Sequence, residues 1–253
     1  MPDQHRLEEQ IISQVAENTL SNQLDEVEQI DVDVRTDILK IAQGQVEEIS
    51  LSGQGVVLQK DIRVQEIKVK TDSVAINPLS AIFGQIELNE PVNAIARIVM
   101  TETDINHALS SDVMQSYFQN WELNIDGEIA NFLPQNIQIY LPDNGKIEFS
   151  GKVAIEEKGN SRILGFNARV SPPINSQPLL LESFHCTQGE GLSIPLITAL
   201  MQKLKELQKT SYFVWEKMIL RIKDMQVTQS NLILLVEAYV KQIPSMENMP
   251  LNK

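Results

Sequence analysis

Between residues 5 and 27 the apolar positions Leu7, Ile11, Ile12, Val15, Leu20, Leu24 and Val27 recur every three to five residues. Glu8, Glu9, Gln14, Glu17, Gln23 and Glu26 fill the opposite face, and no Gly or Pro interrupts, so the spacing predicts an amphipathic helix. The period then falls to two. Ile30, Val32, Val34, Thr36 and Ile38 alternate with Asp31, Asp33, Arg35 and Asp37, the pattern of a strand with one wet face. Gly44 supplies a turn, and the phase slip between Val46 and Ile49 predicts a bulge. A third run, Ile62 to Ile76, slips again near Gln65–Glu66, and Pro78 to Phe83 reads as a short helical turn. Residues 86–100 form a long strand with Ile86, Leu88, Val92, Ala94, Ala96, Ile98 and Met100 on one face.

At Thr101 the pattern turns helical. Thr101-Glu102-Thr103-Asp104 reads as a capping box, followed by Ile105, Ala108 and Leu109 and a second piece to Tyr117 or Phe118. Strands resume after Trp121. Pro142-Asp143-Asn144-Gly145 and Lys158-Gly159-Asn160 mark turns between alternating runs, and Leu179 to Cys186 reads as a further strand. Residues 192–208 predict a second strong helix, with Leu196, Leu200, Leu204 and Leu207 on one face bordered by Ile197 and Met201. Two strands centred on Leu220 and Leu234 close the chain, and the tail frays after Pro244. The sum is one α+β domain over residues 1–245 with a flexible tail at 246–253: long antiparallel strands whose phase slips imply strong curvature, wrapped around amphipathic helices.

Composition sharpens this. Aromatic residues make up only 5% of 253 residues, so Ile, Leu and Val carry the core. The net charge of −13 argues against nucleic acid, which needs clustered Lys and Arg. The charge is uneven. Twelve acids face Arg6, Arg35, Lys40 and Lys60 within residues 1–60, whereas residues 203–223 hold Lys203, Lys205, Lys209, Lys217, Arg221 and Lys223 against Glu206 and Glu216, a basic face suited to a membrane or acidic partner. The N-terminus lacks the basic-then-apolar pattern of a secretory signal and no apolar run reaches ~18 residues, so the expectation is a soluble, cytoplasmic protein with at most peripheral membrane contact.

Catalytic chemistry is not indicated. His5, His107 and His185 are scattered, without partners at metal-ligand spacing, and neither metal nor cofactor is expected. His185-Cys186 sits in an apolar strand where neighbours face opposite sides, so Cys186 is expected to be structural. Gly53-Gln54-Gly55 lacks the third glycine of a phosphate loop and reads as a hairpin turn. Asp31, Asp33 and Asp37 line a strand rather than a calcium loop. Two stretches, Leu179-Leu180-Leu181 and Leu232-Ile233-Leu234-Leu235-Val236, are apolar on both faces. Either they are covered on both sides or a curved sheet leaves an aliphatic groove suited to acyl chains.

The stretch Ile30 to Leu109 resembles the LmeA-like phospholipid-binding family, common in actinobacteria and cyanobacteria. The resemblance runs through Ile41-Ala42-Gln43-Gly44, Val46-Glu47-Glu48-Ile49-Ser50-Leu51, Ile67-Lys68-Val69 and, most specifically, Met100-Thr101-Glu102-Thr103-Asp104-Ile105-Asn106. It implies a tubular-lipid-binding-like fold, an apolar cleft, and non-enzymatic binding or carriage of phospholipid or another long-chain lipid. The alternative is a structural or assembly protein with a closed core and no ligand. For a lipid site, the wall must come from the apolar phases of long strands and helices. That choice selects Ile11, Val15, Phe83, Leu88, Ala96, Ile98, Leu196 and Leu200.

Overall fold

The computed structural model describes residues 10, 13–14, 16–18, 21, 24, 26–36, 40, 43–59, 61–77, 87–112, 114–115, 122–125, 127–157, 159–172, 179–189, 194–209, 213–215 and 217–242. At 58, 59, 157, 204–209, 213 and 215 it describes the backbone alone. Mostly antiparallel sheet with a half-barrel curl dominates, accompanied by few helices, which places the chain in the α+β class. Two compact units divide the chain: residues 1–100, 212–223 and 233–250 form the first, and 101–211, 224–232 and 251–253 the second.

A seven-stranded sheet, most of whose residues belong to the first unit, runs in the order β1 (Gln29–Arg35), β3 (Glu48–Gln59), β4 (Ile62–Thr71), β6 (Val92–Thr101), β14 (Asn231–Val240), β13 (Met218–Thr228), β12 (Phe213–Trp215). A separate two-stranded ladder joins β2 (Gln45–Val46) to β5 (Val74–Ala75). The expected bulge between Val46 and Ile49 is therefore a change of sheet: Val46 belongs to the small ladder and Ile49 to the large one. Gly53-Gln54-Gly55 is not a hairpin turn but lies inside β3. Gly55 takes a φ of 58° there, which a side chain tolerates poorly, so glycine permits a kink within the strand. Gln54 pairs with Glu66 and Val56 with Val64, so the phase slip read near Gln65–Glu66 lies opposite that kink. The 78–83 turn falls outside the described residues.

A valine cluster packs this unit: Val32, Val34, Val46, Val74 and Val92 are buried, with Ala16, Ile49, Leu51, Ile76 and Leu88 against them. The described residues between Gln10 and Ser21 are helical. This helical segment runs along the open edge of β1. Ser13 Oγ accepts the Val34 amide at 3.2 Å and Glu17 Oε1 accepts the Val32 amide at 3.1 Å. A helix rises about 6 Å over four residues. A strand advances nearly 7 Å over two. The i,i+4 pair therefore matches the two outward-facing amides.

The second unit is built on a five-stranded antiparallel sheet, in the order β11 (Leu180–Gln188), β10 (Asn160–Ser171), β9 (Ile147–Glu157), β8 (Glu128–Tyr140), β7 (Glu122–Ile125). Both hairpins expected from the turn sequences are present: Gly145 (φ 74°) lies between β8 and β9, and Gly159 (φ 78°) between β9 and β10. Helix α1 (Glu102–Ser110) starts at Thr101, whose hydroxyl oxygen accepts the Asp104 amide at 3.0 Å and donates to the Asp104 carboxylate at 2.6 Å. Helix α2 (Ile194–Lys209) packs on β7. Its Leu196 and Ala199 join Leu123, Ile125, Ala130, Val153, Ile155 and Leu164 in a buried cluster. β11 is an edge strand. Leu180 is 61% exposed and Cys186 is exposed, so this apolar stretch is not covered on both sides. Among the described residues no helix is long and apolar enough to cross a membrane.

Candidate functional site

Register decides which predicted site residues meet. Across the first sheet, Val32 pairs with Leu51, Leu51 with Val69 and Val69 with Ala96. One step along, Ile30, Gly53, Ile67 and Ile98 form a parallel row. Each row crosses four strands, about 15 Å at the usual strand spacing. Beside the buried Val32, the five larger residues Ile30, Leu51, Ile67, Val69 and Ile98 and the small Ala96 are all half-buried. A packed core would bury them; an apolar surface with incomplete cover leaves them so. Gly53 thins the interior of this surface and Ala96 its end on β6. A Cβ added at Gly53 would lie 2.7 Å from Val56 Cγ2 and 3.2 Å from Ile67 Cγ2, so the space there is fitted to glycine.

Ala96 and Ile98 are thus on one face of β6, two residues apart and each at the end of an apolar row. Leu88 precedes that strand, in an isolated bridge with Ile76, and packs against the valine cluster. Leu196 and Leu200 belong to the second unit, where Leu196 is fully buried and Leu200 borders the core with Phe132. Ile11, Val15 and Phe83 lie outside the described residues.

The second sheet carries its own apolar rows, which the sequence reading did not single out. Ile139 pairs with Phe149, Phe149 with Ala168 and Ala168 with Phe184. Phe166 lies between Gly151 and Cys186, and its ring stacks on Phe184 with centroids 5.4 Å apart. Ile139, Phe149, Phe166, Ala168 and Phe184 are half-buried. The two-residue alternation was visible in the sequence; the four-strand alignment was not.

The opposite face of the first sheet is charged. Asp31–Ser52–Lys68–Arg97 and Asp33–Ser50–Lys70–Ile95 are its rows. Lys70 Nζ sits 2.9 Å from Glu48, and Arg97 sits 2.5 Å from Glu66. The hydrogen bond from Lys70 holds the Glu48 carboxyl below its ordinary range. Concavities of about 750 Å³ and 580 Å³ open on this face, lined by residues such as Glu48, Lys70, Ile95, Arg221, Glu237 and Tyr239 in the first, and Asp31, Ser50, Ser52, Lys68 and Arg97 in the second. Their charged rims do not suit an acyl chain, which gains only where water leaves apolar surface. In the second unit, Lys146 and Ser171 donate to Glu182 and hold that carboxyl low as well. His185 and Cys186 point to opposite sides of β11, as the alternation required: His185 lines a polar concavity with Ser150, Asn167 and Arg169, while Cys186 pairs with Phe166.

The helix–edge contact found at β1 recurs in the second unit. Asn106 exchanges hydrogen bonds with Ile139, donating to its carbonyl at 2.8 Å and accepting its amide at 2.7 Å. Glu102 Oε2 accepts the Leu141 amide at 2.7 Å. Here too an i,i+4 helix pair serves amides two residues apart on a strand. Sequence reading gave neither Glu102 nor Asn106 a partner on a strand edge.

Comparison with known proteins gives one family. A family model described as LmeA-like phospholipid-binding matches residues 3–237, nearly the whole chain. No curated protein and no solved structure matches.

Proposed function

Because the chain belongs to the LmeA-like phospholipid-binding family, we propose that it binds or carries phospholipid, or another long-chain lipid, with the acyl chains laid on an aliphatic sheet surface and no chemistry performed. The observation that carries this reading is the pair of four-strand rows ending at Ala96 and Ile98. They offer contiguous, mostly half-buried aliphatic surface with Gly53 inside it and Ala96 at its end. Each methylene of a lipid chain removed from water gains about 0.8 kcal/mol, so roughly ten of them offset the cost of immobilising the molecule. The proposed wall comprises Leu88, Ala96 and Ile98, with Ile11, Val15 and Phe83 assigned by their sequence phase. This reading treats residues 1–245 as one lipid-binding domain, with 246–253 as its tail and helices flanking the sheet surface.

Protein stripped of lipid by organic extraction and refolded, then mixed with vesicles containing a fluorescent phospholipid, tests the reading. Uptake of label into the protein fraction is expected. A protein that stays lipid-free before and after mixing supports instead a structural role with a closed core.

A further inference from the structure

We propose that the outward face of α2 docks the protein on an anionic phospholipid bilayer, with Ile194, Ile197 and Met201 entering the headgroup region. The helix has two faces. Leu196 and Ala199 anchor one in the core of the second unit, with 0% and 7% of their surface exposed. The other presents Ile194 at 80%, Ile197 at 40% and Met201 at 43% exposure. Spacings of three and four residues place these three on one stripe. Folding already holds the helix through its other face, so a row of three long aliphatic side chains in water contributes nothing to stability and marks an interaction surface.

Charge decides what the surface meets. In the sequence, the positions four and eight residues after Met201, 205 and 209, are both lysine. Within α2, Lys203, Lys205 and Lys209 face Glu206 alone, in a chain whose net charge is −13. An apolar stripe on a helix whose charges are mostly lysine matches a bilayer of anionic lipid, which offers an acyl boundary and a plane of phosphates side by side. The chain's remaining negative charge does not cancel this, because charges beyond about 8 Å are screened at physiological salt. Docking of this kind deepens the lipid-binding reading and rests on it for its purpose, the transfer of lipid between the sheet surface and a membrane. The docking face itself shares no residue with the proposed wall.

Flotation with vesicles tests it. Wild-type protein is expected to float with vesicles of mixed phosphatidylcholine and phosphatidylglycerol, and much less with phosphatidylcholine alone or in raised salt. The triple variant Ile194→Ser, Ile197→Ser, Met201→Ser should lose about tenfold or more in bound fraction, as three aliphatic side chains leave the interface. Lys205→Gln with Lys209→Gln should lose about fivefold per lysine on the mixed vesicles and nothing on the neutral ones. Unchanged thermal unfolding verifies that both variants are folded, and lipid extracted from the same preparations reports on the sheet surface separately. Equal flotation of wild type and triple variant overturns the proposal, as does a wild type that carries lipid yet never floats. A wild type that is dimeric without vesicles, does not float, and turns monomeric on the triple substitution assigns the stripe to a second copy and overturns it too. Flotation by a protein that carries no lipid leaves the docking face standing and removes the lipid-carrying reading.

Discussion

The side-chain amide of Asn106 pairs with the backbone of Ile139 as a neighbouring strand would, donating at 2.8 Å and accepting at 2.7 Å. β7 pairs with β8 only from Glu128 to Asn131, so further along β8 α1 takes over the role of edge partner. Replacing Asn106 with Ala leaves a backbone donor and an acceptor without these partners and should lower stability by about 1–3 kcal/mol in urea unfolding. Asn106→Asp keeps the acceptor for the Ile139 amide and loses the donor, so it should fall between. An alanine variant as stable as wild type would mean that solvent replaces both bonds without cost.

Ser13 and Glu17 do the same for β1, and there the effect is expected to be local. In Ser13→Ala with Glu17→Ala, the amides of Val32 and Val34 should exchange hydrogen about tenfold faster, the equivalent of a net bond of roughly 1.4 kcal/mol. Amides deeper in the sheet, such as Leu51 opposite Val32, should keep their protection. Uniform acceleration across β1, β3 and β4 would show instead that the helix supports the whole sheet.

Thr101 begins α1 by accepting the Asp104 amide. Thr101→Ala should cost about 1 kcal/mol and Thr101→Ser a few tenths at most. Equal losses for both would attribute the residue's contribution to its methyl group rather than its hydroxyl.

Glu182 supplies a pH test. Hydrogen bonds from Lys146, and then from Ser171, lower its pKa in the folded chain. A carboxyl depressed on folding stabilises the native state above its ordinary range, and that contribution disappears as pH falls through the depressed value. Stability should therefore decline with acid less steeply in Glu182→Gln than in wild type, and the two curves should converge at low pH. Parallel acid limbs would remove Glu182 from the account. Glu48, lowered first by its bond from Lys70, predicts the same sign.

What could be read in advance follows the range of the interactions. The Thr101 cap, the turns at Gly145 and Gly159 and the two-residue alternation that puts Ala96 and Ile98 on one face are all decided within a few residues, and the sequence displays them. Strand register is decided between distant segments. Alternation alone could not align Val32, Leu51, Val69 and Ala96, or set Phe149 between Ile139 and Ala168. Gly53-Gln54-Gly55 misled because glycine serves both turns and kinks within strands. Its place inside β3 is set by pairing with β1 and β4, which the segment alone does not display. The strand-edge bonds of Ser13, Glu17, Glu102 and Asn106 left no mark in the sequence because a polar side chain bonded to an exposed strand edge has the same helical phase as one bonded to water.

The central claim is that lipid chains lie on the sheet surface where Ala96 ends the row from Val32. Ala96→Trp would fill that surface with a large side chain while leaving the strand alternation intact. Mass spectrometry of lipids extracted from natively purified protein measures the consequence directly. Wild type should carry phospholipid or another acyl lipid, and the folded Ala96→Trp variant should carry substantially less. Wild type carrying lipid and a folded Trp variant carrying the same amount would contradict this choice of surface, and wild type with no lipid, taking none from vesicles, would contradict lipid carriage itself.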